Sequence, residues 1–270
     1  MLEFNNLCVH SKRTVPSHTN HANHINYTST LSSTYHKWLT KIKKPAMADE
    51  ALSAHQRILI NGVSGKLLSG QVTVLTGASG SGKSVLLRVL AGLLPMSSGD
   101  VILQNASAPN NHINYSIHDS ARTEWRSQVS LLAQHPQLLE GRVIDNLQMP
   151  YQLQAHQHRR FDIDWHIAQL VQLERSANFL YQEAAHLSGG ERQLVNTLRL
   201  LQLSPQVLLL DEPTAALDSD TSAQLVQLLI HWLRADSQRA LLWVTHDTQD
   251  IMPLADRHWH MQAGMLSETF

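Results

Sequence analysis

The stretch GASGSGKS, Gly77 to Ser84, matches the pattern G-x-x-x-x-G-K-[ST]. Each residue type in it has a chemical reason to be there. Gly77, Gly80 and Gly82, with the small residues Ala78, Ser79 and Ser81 between them, let successive backbone N–H groups converge on phosphate oxygens. Lys83 can reach β- and γ-phosphates, and Ser84 is placed to ligate Mg²⁺. An ordinary Gly/Ser turn would satisfy the same letters, so the flanks decide. QVTVLT before the loop reads as a buried strand and KSVLLRVLAGLL after it reads as a helix, whose positive dipole end would face the phosphates.

A second group of candidates sits at strand ends. VLLLDE, Val207 to Glu212, ends an apolar strand on two carboxylates. Open α/β sheets bind ligands beyond the carboxyl ends of their strands, and acids at the end of a buried strand need a partner such as Mg²⁺. Asp211 is read as the metal-side acid. Glu212, expected to point the other way by strand alternation, is read as the group that takes a proton from an attacking water or polarises it. Gln134 closes QVSLLAQ and offers a neutral amide to Mg²⁺ or to the water. His246 closes ALLWVTH and can hydrogen-bond a γ-phosphate oxygen while largely neutral. Either residue alone would read as a cap or loop residue; their occurrence in this order gives them weight.

LSGGERQ is a second small-residue turn ahead of a helix. Ser188, Gly189, Gly190 and Glu191 precede or open a run in which Leu194, Leu198 and Leu201 recur at helical spacing. Free N–H groups and the Ser188 hydroxyl would then stand at a dipole's positive end, another anion site. Taken in isolation, the turn reads simply as a Ser N-cap.

The elements that must position these residues follow an α/β pattern. QVTVLT, QVSLLA, QVLLLD and ALLWVT are short apolar strands, each followed by a helical pattern, which predicts a mostly parallel sheet. LEFNNLCV and RILI read as further strands. Between Gln134 and Gly190 the strand signal gives way to helical segments such as IDWHIAQLVQLER, predicting a helical subdomain over 135–190. SDTSAQLVQLLIHWLR reads as an amphipathic helix capped by Ser219 or Asp220. Residues 10–55, rich in Ser, Thr, His and Asn, lack apolar periodicity and read as an irregular insertion. Within it HTNHANH sets His18, His21 and His24 three apart. A helix there would gather imidazoles able to bind a transition metal; the competing reading is a polar tract without such a role.

Composition limits the partners. The 270 residues are 43% hydrophobic and 16% charged with net charge -1, so no basic field calls for nucleic acid. One cysteine, Cys8, excludes an internal disulfide and fits a reducing compartment. The N-terminus lacks the pattern of a secretory signal, and no window approaches the roughly 18 apolar residues of a membrane span. Any service to a membrane would run through a partner.

With Gly77–Ser84, Gln134, Ser188–Glu191, Val207–Glu212, AALD at Ala215–Asp218 and His246 in this order, the chain resembles the ATP-binding subunit of an ABC transporter. The resemblance implies a P-loop NTPase fold, a single ATP-binding domain over 1–270, and ATP and Mg²⁺ as cofactors, the metal held by Ser84, Gln134 and Asp211. It also implies a head-to-tail dimer that hydrolyses ATP on the cytoplasmic face of the cell membrane. In that dimer the loop, Gln134, Asp211, Glu212 and His246 of one copy face Ser188–Glu191 of the other, with Asp218 in the loop coupling the sites, and a separate membrane permease docks near Gln134 and the helical subdomain. AQHPQLLEGRVIDNLQMPYQLQ, LRLLQLSPQVLLLDEPTAALD and LLWVTHD look similar to subunits of bacterial iron-export systems; importers of amino acids or metals and lipid or lipoprotein exporters share much of the pattern. A soluble ABC ATPase of DNA repair or translation fits less well, lacking an inserted coiled coil or zinc module and a second copy in the chain. The chain departs from the family after its first strand, where an aromatic residue for stacking on adenine is expected; His10, Tyr27, Tyr35 and Trp38 are the candidates.

Overall fold

The computed structural model describes residues 1–11, 57–105, 113–135, 137–215 and 217–269. The described residues among 1–10 and 58–269 form one compact unit. Tyr27, Tyr35, Trp38 and the His18, His21, His24 group lie outside the described residues, as does nearly all of the 10–55 insertion.

Along the chain come β1 (Leu2–His10), β2 (Ile58–Leu67), β3 (Val72–Thr76), α1 (Lys83–Leu90), β4 (Ser98–Asn105), β5 (Ile113–Ser116), α2 (Arg122–Gln128) and β6 (Val129–Leu132). Then follow α3 (Val143–Gln148), α4 (Ile163–Gln172), α5 (Gly189–Leu201), β7 (Val207–Asp211), α6 (Ser219–Arg234), β8 (Ala240–Val244), β9 (Arg257–Gln262) and β10 (Met265–Glu268). Six strands form a sheet in the order β10-β9-β3-β8-β7-β6, parallel except for the β9–β10 hairpin. The other four form an antiparallel sheet, β2-β1-β4-β5.

The apolar runs are continuous because both faces of the larger sheet are covered. Leu208, Leu210, Leu241 and Trp243 pack into a core shared with α3, α4, α5 and α6. Val207, Leu209, Leu242 and Val244 face the opposite core, built with α1 and the antiparallel sheet. Trp125 on α2 closes that second core, its indole N–H donating to the Leu90 carbonyl at 2.8 Å. The layering leaves the carboxyl ends of β3, β6, β7 and β8 side by side, which is where the chemistry-bearing residues stand.

The second sheet was not foreseen. β4, SGDVILQN, has only the three apolar residues Val101–Leu103 between polar ends, and β5, INYS, is four residues long, so neither carries a pattern long enough to mark it. The segment before Gly190 is helical as expected, with short 3₁₀ turns at Met149–Gln152, Ala177–Tyr181 and Ala184–His186. The helix expected over Ile163–Arg175 stops at Gln172, and Glu174 takes a left-handed φ of 53°. Neither Ser219 nor Asp220 caps α6. The cap is Asp218, whose carboxylate accepts the Thr221 N–H and hydroxyl, each at 2.9 Å. Its extended backbone, ψ 165°, lets the side chain reach forward, whereas the two expected caps already lie in the first turn. Among the described residues no helix is long and apolar enough to cross a membrane.

Candidate functional site

The loop between β3 and α1 is shaped by backbone that only glycine accepts readily. Gly77 has φ 144°, and a Cβ there would stand 2.1 Å from the Met261 carbonyl oxygen; Gly82, the N-cap of α1, has φ 112°. Lys83 is 6% exposed. Its ammonium donates to the carbonyls of Gly77 at 2.7 Å and Ala78 at 3.0 Å, which folds the loop around the charge. Burial pushes this lysine below its ordinary range, while Glu212 and Asp211 pull it back up.

Four strand-end residues meet here with Ser84 of α1. Ser84 Oγ donates to Asp211 Oδ1 at 3.2 Å. Gln134 Nε2 donates to Glu212 Oε2 at 2.9 Å, and His246 Nε2 lies 3.0 Å from Glu212 Oε1. His246 Nε2 also lies 3.4 Å from Lys83 Nζ, and the ammonium has two shorter acceptors in the loop. The network therefore assigns the hydrogen to His246 Nε2, donating to Glu212. Both oxygens of Glu212 are thus held by N–H donors.

Strand alternation does not send Glu212 away from Asp211. The strand ends at Asp211, and Glu212 turns out of it with φ 51°, its N–H donating to the Val244 carbonyl at 3.0 Å. A non-glycine residue there stores strain of about 1–2 kcal/mol. That turn brings both acids into one cluster. Ser84 and Asp211 present hard oxygen donors side by side, a pair that suits Mg²⁺ when phosphate and water complete the shell, while Gln134 is bonded to Glu212. Among the described residues no group of three or more His, Cys, Asp or Glu side chains could hold a metal. A metal at Ser84 and Asp211 would therefore depend on oxygens brought by a ligand.

Ser188 belongs to a separate constellation. Its hydroxyl accepts the Glu191 N–H at 3.2 Å, and Glu191 Oε2 accepts the Ser188 N–H at 2.9 Å, a reciprocal capping box at the start of α5. The cap reading and the anion-site reading describe one piece of structure, since the box orients the first turn. A Cβ on Gly190 would lie 3.2 Å from Leu217 Cδ2, so the turn packs beside the residue preceding Asp218. A Cβ on Gly189 would meet nothing within 4 Å. Asp218 is held below the usual carboxylate range by the Thr221 N–H and hydroxyl. His10 ends β1 half-buried, its N–H donating to Ser97 Oγ at 3.0 Å.

Sequence motifs missed the wall behind the loop. Besides Met261 against Gly77, the Gly264 N–H donates to the Ser81 carbonyl at 2.9 Å. Alternation of buried Trp259 and Met261 with His258 and His260 is the signal that would have marked β9.

A family model described as ABC transporter matches residues 60–215. The chain belongs to the ABC transporter family. It carries that family's ATPase domain, the α/β P-loop fold with its characteristic ATP hydrolysis. Among curated relatives it is 34% identical over 194 residues to the probable iron export ATP-binding protein FetA of Escherichia coli K12, covering 72% of this chain and 80% of that one. It is 33% identical over 201 residues to the methionine import ATP-binding protein MetN 1 of Pseudomonas fluorescens Pf-5, covering 74% of this chain and 58% of that one. The fold is similar to that of a dimeric ATP-binding cassette in a post-hydrolysis state bound to ADP and Pi, with TM-score 0.70, 20% identity and coverage of 100% and 99%. It is also similar to part of a bacterial Atm1-family ABC exporter with ATP bound, with TM-score 0.68, 19% identity and coverage of 99% of this chain and 38% of that one.

Proposed function

We propose that the chain is the ATP-binding and ATP-hydrolysing subunit of an ABC transporter, working as a head-to-tail pair of identical copies docked beneath a separate membrane permease. Each nucleotide site is then composite. One copy supplies the Gly77–Ser84 loop, Gln134, Asp211, Glu212 and His246; the other supplies Ser188, Gly189, Gly190 and Glu191, with Asp218 in the connecting loop.

The observation that carries this reading is the partition of the polar residues. Glu212 accepts from Gln134 and His246, Asp211 accepts from Ser84, and both acids act on Lys83, whereas the Ser188 side chain is bonded within its own capping box. Gly189 adds support. It shows no positive φ, and among the described residues nothing crowds its Cβ position, so the turn leaves room for a group brought by another copy.

In this site Lys83 and the loop N–H groups hold the β- and γ-phosphates and offset the charge that builds on them. Ser84 and Asp211, with Gln134, would hold Mg²⁺, which when bound neutralises phosphate charge. Glu212 accepts the proton of the water that attacks the γ-phosphorus as the bond to the ADP oxygen breaks. Gln134 and His246 keep its two oxygens oriented, and His246 can turn its N–H toward the γ-phosphate. Ser188→Arg tests the composite site: it should block hydrolysis and leave ATP binding by the monomer intact, whereas loss of monomer binding would put this turn in the same-chain site.

For the cargo, iron export is supported by the FetA likeness, which spans 80% of that protein. Methionine import is the second reading, favoured by MetN relatives at 33% identity over 58% of their length. Stimulation of the permease-bound ATPase by ferrous iron or by methionine separates them.

A further inference from the structure

β3 ends at Thr76, one residue before the phosphate loop. Its neighbour β9 buries Trp259 and Met261 in the core, so His258 and His260 share the other face. Thr76 Oγ1 stands between them, 2.8 Å from His258 Nε2 and 3.2 Å from His260 Nδ1.

Both ring nitrogens of His258 are engaged by hydroxyls, Nε2 by Thr76 and Nδ1 by Thr269 Oγ1 at 3.0 Å. Thr76 Oγ1 also lies 3.5 Å from the Trp259 carbonyl. One hydroxyl is thus held against two imidazoles of β9, the strand whose Met261 also backs the loop at Gly77.

We propose that Thr76, His258 and His260 are positioning residues of the phosphate loop. The clamped hydroxyl fixes the peptide from which Gly77 departs, and with it the aim of the loop N–H groups at a nucleoside triphosphate. This rests on reading Gly77–Ser84 as the ATP cradle.

The test is ATP affinity and steady-state hydrolysis on the full chain, with thermal unfolding recorded for each variant. Thr76→Val keeps the shape and removes the hydroxyl; it should weaken ATP binding about 3–10-fold, the loss expected for one or two neutral hydrogen bonds, and raise KM with kcat within about 2-fold. Thr76→Ser should restore affinity to within about 2-fold, because the hydroxyl alone matters. His260→Asn, whose amide can either donate or accept near the position of Nδ1, should bind ATP better than His260→Phe. The His260 pair carries the test if Thr76→Val does not fold. Native ATP affinity in folded Thr76→Val or His260→Phe overturns the proposal, as does a Thr76→Ser affinity no better than that of Thr76→Val. Lys83→Ala separates the two levels: if it abolishes binding while Thr76→Val and His260→Phe bind natively, only the positioning role falls; if it binds natively, the cradle reading falls and the positioning role with it.

Discussion

Replacing Glu212 by Gln keeps the shape of the side chain and removes its charge and its capacity to take a proton. The local cost can be worked from the geometry. Glu212 accepts from His246 Nε2 at 3.0 Å on one oxygen and from Gln134 Nε2 at 2.9 Å on the other. An amide satisfies one donor and sets N–H₂ against the second, costing about 1–3 kcal/mol unless the partner turns. Gln134 can turn, since rotating its amide presents Oε1 in place of Nε2. The fold should therefore change little in stability. Hydrolysis should fall about 10²–10⁴-fold, the usual contribution of a positioned base and equivalent to about 3–5 kcal/mol on the barrier. Lys83 should lose part of the attraction that offsets its burial, so its pKa should fall further than in the native protein. Single-turnover phosphate release, read beside equilibrium ATP binding, is the assay. Native hydrolysis by Glu212→Gln would refute the role assigned to this carboxylate.

Two further outcomes are expected. His166 on α4 is fully buried, its Nδ1 2.6 Å from the Asp162 carbonyl and its ring stacked on Phe161, and burial holds it below the ordinary imidazole range. The unfolded chain binds this proton first, so stability is present above about pH 6.5 and is lost as pH falls through the folded pKa, by up to about 1.4 kcal/mol per pH unit for one group. Urea midpoints at pH 7.5 and 5.5 should differ less in His166→Gln than in the native chain; an unchanged difference would remove His166 as a source. Ser188→Ala breaks the capping box of α5 and should cost about 0.5–2 kcal/mol in thermal unfolding while sparing monomer ATP binding.

The parts of the site legible in the sequence are those whose chemistry is local. A Gly-rich loop, a lysine and a serine define their own geometry, and apolar runs covered on both faces declare buried strands without help from the rest of the chain. What escaped reading depends on contacts distant in sequence. β4 and β5 are strands because β1 offers its edge, and their own residues are too mixed in polarity to say so. Glu212 reaches the cluster by a positive φ that strand periodicity cannot anticipate. Asp218 rather than Ser219 or Asp220 caps α6 because the chain enters extended, a matter of approach angle and not of residue type. His258 and His260, two unremarked histidines, matter through Thr76, 182 and 184 positions away.

The central claim is that each nucleotide site is shared between two copies, and a mixing experiment tests it most directly. Lys83→Ala removes the cradle charge and Ser188→Arg blocks the facing turn, so each protein alone should be inactive in hydrolysis. In a mixed head-to-tail pair one site joins the intact cradle of one protein to the intact turn of the other. Half of randomly formed pairs are mixed and each has one good site of two, so an equimolar mixture should regain about a quarter of the native rate. A mixture as inactive as its components, under conditions where pairing is demonstrated, would contradict the shared site and return both features to a single chain.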